Sequence, residues 1–238
     1  MKRLLAIFFI ALSAMSTNYL NANVMNTGLT PAHQKIVTIA STTAIGNLEI
    51  LKKELHGGLD AGLTINQIKE VLVQMYAYAG FPRSLQAINT FMGVLEERKS
   101  KGINDAEGTN ASAINDTRDK YIRGREILES LTHTDQTKIS GANAFAPTID
   151  RFLKEHLFAD IFERDVLTYS ERELTTISAL ASMPGVEPML QSHINMGLNV
   201  GITEIQIQEV IKIIAESISR EQGDIANNVL NKVLENRK

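Results

Sequence analysis

The sequence predicts an all-helical protein made of two tandem copies of one helical unit with a distinct middle. Three observations carry this. The first is an internal repeat: GLDAGLTINQIKEV at 58–71 recurs as GLNVGITEIQIQEV at 197–210, identical at eight of fourteen positions with a constant offset of 139. The second is that apolar residues recur at helical spacing after each repeat, as Ile68, Val71, Leu72 and Met75 and as Ile207, Val210, Ile211 and Ile214. The third is that no segment shows the two-residue alternation of a half-buried strand.

Each element has its own signals. Lys2 and Arg3 precede an apolar run from Leu4 to Ala14, too short for a bilayer span, which needs about 20 residues. This is the architecture of a secretory signal, residues 1–22, with cleavage expected after Ala22. An uncut membrane anchor is the bland alternative. After cleavage no stable membrane insertion is expected, and the address is periplasmic or secreted.

The first repeat spans 31–98. Thr30-Pro31 marks its opening helix, with Pro at the first helical position. Thr64-x-x-Gln67 is a capping box that starts a later helix, and Gly62 just before it suits a left-handed turn. A long helix from Ser84 to Arg98 closes the copy. The middle, 99–169, opens with a polar stretch from Lys99 to Arg118 that has little to bury beyond Ile103 and Ile114. It reads as a loop dispensable for folding. A short helix follows at Tyr121–Leu131. Phe145-Ala-Pro147 then breaks the chain before a helix at Ile149–Phe162, whose face of Phe152, Leu153, His156, Leu157 and Phe158 is expected to pack across both copies. The second repeat spans 170–237. Ser170-x-x-Glu173 reads as its opening capping box, Thr203-x-x-Gln206 as the next, with Gly201 before it, and Glu221–Arg237 as the closing helix. The flanks of the two copies align once a single-residue gap is placed near residue 50.

Composition excludes several functions. The 238 residues contain no cysteine, so disulfide scaffolds, thiolate zinc sites and thiol chemistry are ruled out. A net charge of −3 leaves no electrostatic footprint for nucleic acid, and no nucleic-acid partner is expected. Only 5 % of residues are aromatic and none is Trp, which argues against an exposed stacking platform. No metalloprotease, phosphate-loop or nucleophile-elbow motif is present.

The repeated pattern G-L-x-x-G-[LI]-T-x-x-[QE]-I-x-E-V, followed in the first copy by Tyr76-Ala-Tyr-Ala-Gly-Phe-Pro-Arg83, resembles the carboxymuconolactone decarboxylase family, an all-helical superfamily that includes alkylhydroperoxidase D. The segment 152–162 with Arg172-Glu-Leu is similar to its tandem-repeat members. The peroxidase branch uses a Glu, a Cys-x-x-Cys pair and a His. Glu173 and His193 stand where that Glu and His would be, while the cysteine places fall near Val186 and Met189. Thiol peroxidase chemistry is therefore excluded. Opposite His193 the first copy carries Glu54, and opposite Glu173 it carries Gln34, or Lys35 once the gap is applied.

The resemblance implies catalytic roles for His193 and Glu173, and an asymmetric first-copy wall of Arg83, Tyr76 and Tyr78 to bind substrate. Each has a bland reading: capping for Glu173, a satisfied semi-buried imidazole for His193, core or rim packing for Tyr76. Glu70 and Glu209 share one helical position, which points to a duplicated structural role. Two readings remain. One is a lyase or isomerase with no cofactor and no metal, acting on a small organic acid by His/Glu proton transfer. The other is a non-catalytic oligomer that binds a small molecule. In both, the family resemblance implies a homo-oligomer such as a trimer.

Overall fold

The structure is a computed structural model that describes residues 28–238. The leader reading at 1–22 lies outside those residues. Eleven α-helices and one π-helix follow one another, with no strand among the described residues. None of these helices is long and apolar enough to cross a membrane.

Helix α1 (Pro31–Ile45) begins where the Thr30 hydroxyl accepts the His33 amide and Pro31 takes the first helical place. Gly46 ends it with φ 70°. Helix α2 (Leu48–Asp60) is capped by Asn47. Helix α3 (Ile65–Gln74) starts at the Thr64/Gln67 capping box, both of whose hydrogen bonds are made. Helix α4 (Tyr76–Ser100) begins eight residues earlier than its sequence pattern suggested, with a first turn that breaks at Gly80. There φ is 82° and ψ is 160°, a conformation open in practice only to glycine, and Pro82 then restarts the helix.

The middle contains α5 (Lys120–Thr132), the short α6 (Gly141–Phe145) and α7 (Pro147–Phe152), and a π-helix, Leu153–Phe162. The sequence pattern gave one helix over 149–162; the chain widens to π geometry after its first turn. Helix α5 packs against this π-helix at very short range. A Cβ on Gly124 would lie 1.8 Å from the Lys154 carbonyl oxygen, so only glycine fits. Lys154 is buried and its ammonium is fully engaged by Asp150, by the Tyr121 hydroxyl and by the Gln136 carbonyl. The apolar cluster around Leu128, Leu131, Leu157, Phe158 and Phe162 also takes in Met196 of the second copy and Tyr76 and Tyr78 of the first. The middle thus touches both repeats through Leu153, Leu157 and Phe158, while Phe152 and His156 of the expected face stay exposed.

The second copy repeats the first as α8 (Tyr169–Ala181), α9 (Glu187–Asn199), α10 (Glu204–Ser217) and α11 (Arg220–Asn236). Its opening cap differs from expectation. Thr168, not Ser170, caps α8, and Glu171, not Glu173, completes the box. The Thr168 box overlaps the expected one by two residues and starts the helix earlier. Ser170 instead donates to the Val200 carbonyl. Helices α1 and α8 lie side by side and run the same way: His33 faces Glu171 near their starts, and Ser41 donates to the Ser178 carbonyl near their ends. Both repeats share one large core in which Ile36, Ile39, Leu51, Ile68, Ile177, Ile194, Ile207 and Val210 are fully or almost fully buried.

The polar stretch after α4 is not the dispensable loop its composition implied. Arg98 is buried and pairs with Asp105 and Asp60. The Ala106 and Glu107 carbonyls accept the Ile65 and Asn66 amides, which are otherwise unpaired donors of the first turn of α3. Polar groups in this stretch bury through hydrogen bonds that a count of apolar residues does not register.

Between the copies, Glu70 on α3 accepts two guanidinium groups. Arg164 binds it through both carboxylate oxygens and Arg172 reaches it at 3.1 Å. Burial pushes the Glu70 carboxyl up, but the two guanidinium groups outweigh this and hold it below the usual range. The symmetric position, Glu209 on α10, accepts neutral donors instead: the Gln34 amide at 2.7 Å and the Leu29 backbone at 2.6 Å. Glu70→Gln leaves the wholly buried Arg172 without its counter-charge and is expected to cost about 3–5 kcal/mol. Glu209→Gln, with no buried charge opposite, is expected to cost about 1 kcal/mol. Urea unfolding of both variants checks the difference. The depressed Glu70 carboxyl adds stability at pH values above its ordinary 4.5, lost as pH falls below that value. The Glu70→Gln penalty should therefore shrink in acid.

Candidate functional site

The start of α8 and the middle of α9 face each other across the core of the second copy. Gly197 lets them approach. A Cβ there would stand 2.9 Å from Ile177 Cδ1 and 3.3 Å from Ile202 Cδ1. One turn before Gly197, on the same face of α9, lies His193, and across from it on α8 lies Glu173. The first copy uses the same packing: a Cβ on Gly58 would be 3.0 Å from Ile39 Cδ1.

Glu173 is wholly buried and His193 is 8 % exposed. His193 Nδ1 and Glu173 Oε2 are 2.8 Å apart. An ionised carboxylate can only accept, so Nδ1 is assigned the proton and Nε2 is left as the second working atom of the ring. Because the helix is capped two residues earlier, Glu173 is free of the capping duty its position in the sequence suggested. Its other oxygen, Oε1, is buried with no hydrogen-bond partner.

Tyr78, from the first copy, closes one side. Its ring meets the His193 ring edge-on, with centroids 5.5 Å apart and planes at 81°. Its hydroxyl is also buried and makes no hydrogen bond of proper geometry, with only a weak contact to Thr176. Burial, and then the nearby Glu173 carboxylate, push the Tyr78 hydroxyl well above its ordinary range, so it is a neutral phenol at any physiological pH. Two orphan polar atoms in one buried site are unusual, since an unpaired buried group costs about 1–3 kcal/mol. They are the groups that an incoming polar atom would satisfy.

The other two sequence candidates lie elsewhere. The Tyr76 ring stacks on Phe81 at 4.6 Å and lines a separate apolar pocket. Arg83 is exposed, and its guanidinium covers Gly46 at the end of α1. Since α1 and α8 run alongside in the same direction, Gly46 is offset from the level of Glu173 by roughly 15 Å along the helices. The break at Gly80 sends the two sides of the YAYAGFPR segment to different places, which a linear motif does not reveal.

One feature went unread in the sequence. At the equivalent place in the first copy, Lys35 Nζ and Glu54 Oε2 are also 2.8 Å apart. Thr38 adds a hydrogen bond to the same Glu54 oxygen at 2.5 Å. Both copies therefore join their first two helices by a polar bridge at one register, Lys–Glu in one and Glu–His in the other. The alignment of Lys35 and Glu54 opposite Glu173 and His193 held the signal, and the opposite charges of Lys and Glu would have completed it.

Tyr78→Phe tests the orphan hydroxyl. Removing an unsatisfied buried group should leave the melting temperature unchanged or raise it, by up to about 1 kcal/mol in stability. A fall of several degrees by calorimetry would show that the hydroxyl has a partner.

A comparison with curated proteins returns no match. The family model described as "Carboxymuconolactone decarboxylase family" matches two regions, residues 11–91 and 147–218. Together they cover more than half of the chain, one for each repeat, and each begins upstream of the repeat boundary read from the sequence. The chain is a tandem member of the carboxymuconolactone decarboxylase family.

Proposed function

We propose that the chain is an exported lyase or isomerase of carboxymuconolactone-decarboxylase type that acts on a small organic acid without a cofactor. The observation that carries this reading is the buried Glu173–His193 hydrogen bond of 2.8 Å, on a carboxylate with no capping role. In a decarboxylation the bond from carbon to carboxylate breaks, carbon dioxide leaves, and the bonding pair stays on carbon. His193, carrying a proton on each ring nitrogen at this stage, then delivers the Nε2 proton to that carbon and takes another from solvent. Glu173 holds Nδ1 and so fixes the ring. Imidazole suits the task because it titrates near working pH. Tyr78 supplies a neutral donor beside the ring. Arg83 lies too far along the helices to hold the substrate anion in this arrangement, and the reading does not need it.

The non-catalytic reading also has an observation behind it. Lys35–Glu54 shows that a polar bridge at this register serves structure in one copy. The variants separate the two. His193→Gln should abolish carbon dioxide release from carboxymuconolactone or related lactone acids, by a factor of about 10² or more, with the helical circular dichroism unchanged. Glu173→Gln should lower turnover while costing no cap, since Glu171 fills that place. If no acid in such a panel is turned over, or if His193→Gln unfolds the chain, the pair is a structural bridge like its counterpart.

Export is supported by the basic start and short apolar run of residues 1–14. Self-association is supported by Leu85 and Met92, two turns apart on α4 and 55 % and 56 % exposed. Sedimentation at micromolar concentration should give a trimer or a related closed assembly. A single monomer species would remove that part of the reading.

A further inference from the structure

A pocket of about 560 Å³ lies between α4 and the π-helix, lined by Tyr76, Phe81, Phe152, Leu153, His156 and Leu157 among others. His193 and Glu173 are not in its lining. Its size falls within the roughly 300–1,000 Å³ typical of small-molecule sites. Two structural irregularities shape it. The Gly80 break folds Phe81 back onto Tyr76, five residues earlier, so that their rings stack nearly parallel, 15° apart. On the opposite wall, the π-helix carries Leu153, His156 and Leu157.

The walls are apolar and wet. Phe81 is 62 % exposed and Phe152 is 50 % exposed, which is unfavourable for large rings unless something covers them. Two polar groups interrupt this surface. His156 Nδ1 is 3.1 Å from Asp160 Oδ2, and Lys120 holds the other carboxylate oxygen at 2.7 Å. The carboxylate therefore occupies Nδ1 and leaves Nε2 as the ring's second hydrogen-bonding atom. The Tyr76 hydroxyl keeps its proton, because burial and then Asp160 push it upward. The pocket thus offers two hydrogen-bonding groups, the Tyr76 hydroxyl and His156 Nε2, on otherwise apolar walls. A hydroxyl, which both donates and accepts, matches that pair. A carboxylate only accepts, and would stand near Asp160.

We propose that this pocket is a binding site for a neutral, hydroxyl-bearing ring compound of phenolic type, held between the Tyr76–Phe81 stack and Phe152 with its hydroxyl between Tyr76 and His156. The site is separate from the Glu173–His193 pair and does not depend on its chemistry.

The probe is β-naphthol, titrated into the full chain and followed by its own fluorescence, with naphthalene and β-naphthoate as comparisons. Saturable β-naphthol binding is expected, with Kd on the order of 0.1 mM. Naphthalene should bind about tenfold more weakly, and β-naphthoate more weakly than β-naphthol. His156→Ala should bring β-naphthol down to the naphthalene level while leaving naphthalene unchanged. Phe152→Asp should abolish binding of both. Both positions are half exposed or more, so both variants should keep the fold, and circular dichroism checks this. His193→Gln should change none of the three affinities. The proposal is overturned if β-naphthol does not saturate, if β-naphthoate binds more tightly, or if neither His156→Ala nor Phe152→Asp weakens binding. It is also overturned if His193→Gln abolishes binding, which would place the ligand at the buried pair instead.

Discussion

Arg172 has no access to water, and three parts of the chain converge on it. Glu70 and Gln74 come from the first copy, the Arg164 carbonyl from the end of the middle, and Arg172 itself from the first turns of α8. A buried cation is costly unless its charge is matched and most of its donors find acceptors. Here one guanidinium nitrogen, Nε, lacks a partner and the others are engaged. Gln74 also turns its amide onto the Arg172 carbonyl and Thr176, so the same helical turn is gripped by side chain and backbone. Glu173 is the next residue. Its position opposite His193 is therefore set by an ion pair that reaches into the other repeat.

Duplication supplied the frame, and divergence filled it differently. The glycine crossings at Gly58 and Gly197, the isoleucines they face and the threonine caps match position for position. The polar groups exchanged along the same contacts do not. Glu70 meets arginines where Glu209 meets neutral amides. Lys35–Glu54 places its acid on the second helix, whereas Glu173–His193 places it on the first. A repeat can keep its backbone while changing charges wherever the new pair is complementary, because the geometry rests on apolar packing and glycine contacts.

Much of the fold was legible because its signals are local. The Thr64/Gln67 and Thr203/Gln206 boxes, the glycines before them and the apolar spacing of α3 and α10 depend on neighbours within a few residues. The pairing of Glu173 with His193 came from family likeness and a repeat alignment, and the structure brings the two side chains together. What escaped depended on distant partners. Ser170/Glu173 and Thr168/Glu171 are equally good caps on paper, and the choice between them is made by the packing of the whole helix. The stretch after α4 looks unburied because its anchors are Asp105 and main-chain carbonyls. Arg83 and Tyr76 sit within eight residues of each other, yet the break at Gly80 separates them. The ten-residue π segment has no signature in its composition.

The contact between Gly124 and the Lys154 carbonyl bears on how the middle is attached. The family match over 147–218 takes in the π-helix and leaves α5 outside, so this glycine joins a helix of the middle to the second matched unit. Any side chain larger than hydrogen at position 124 would collide with main chain that cannot move aside. A glycine at that place in another two-repeat chain would mark the same docking of helix on helix, and its replacement would mark a middle that folds some other way.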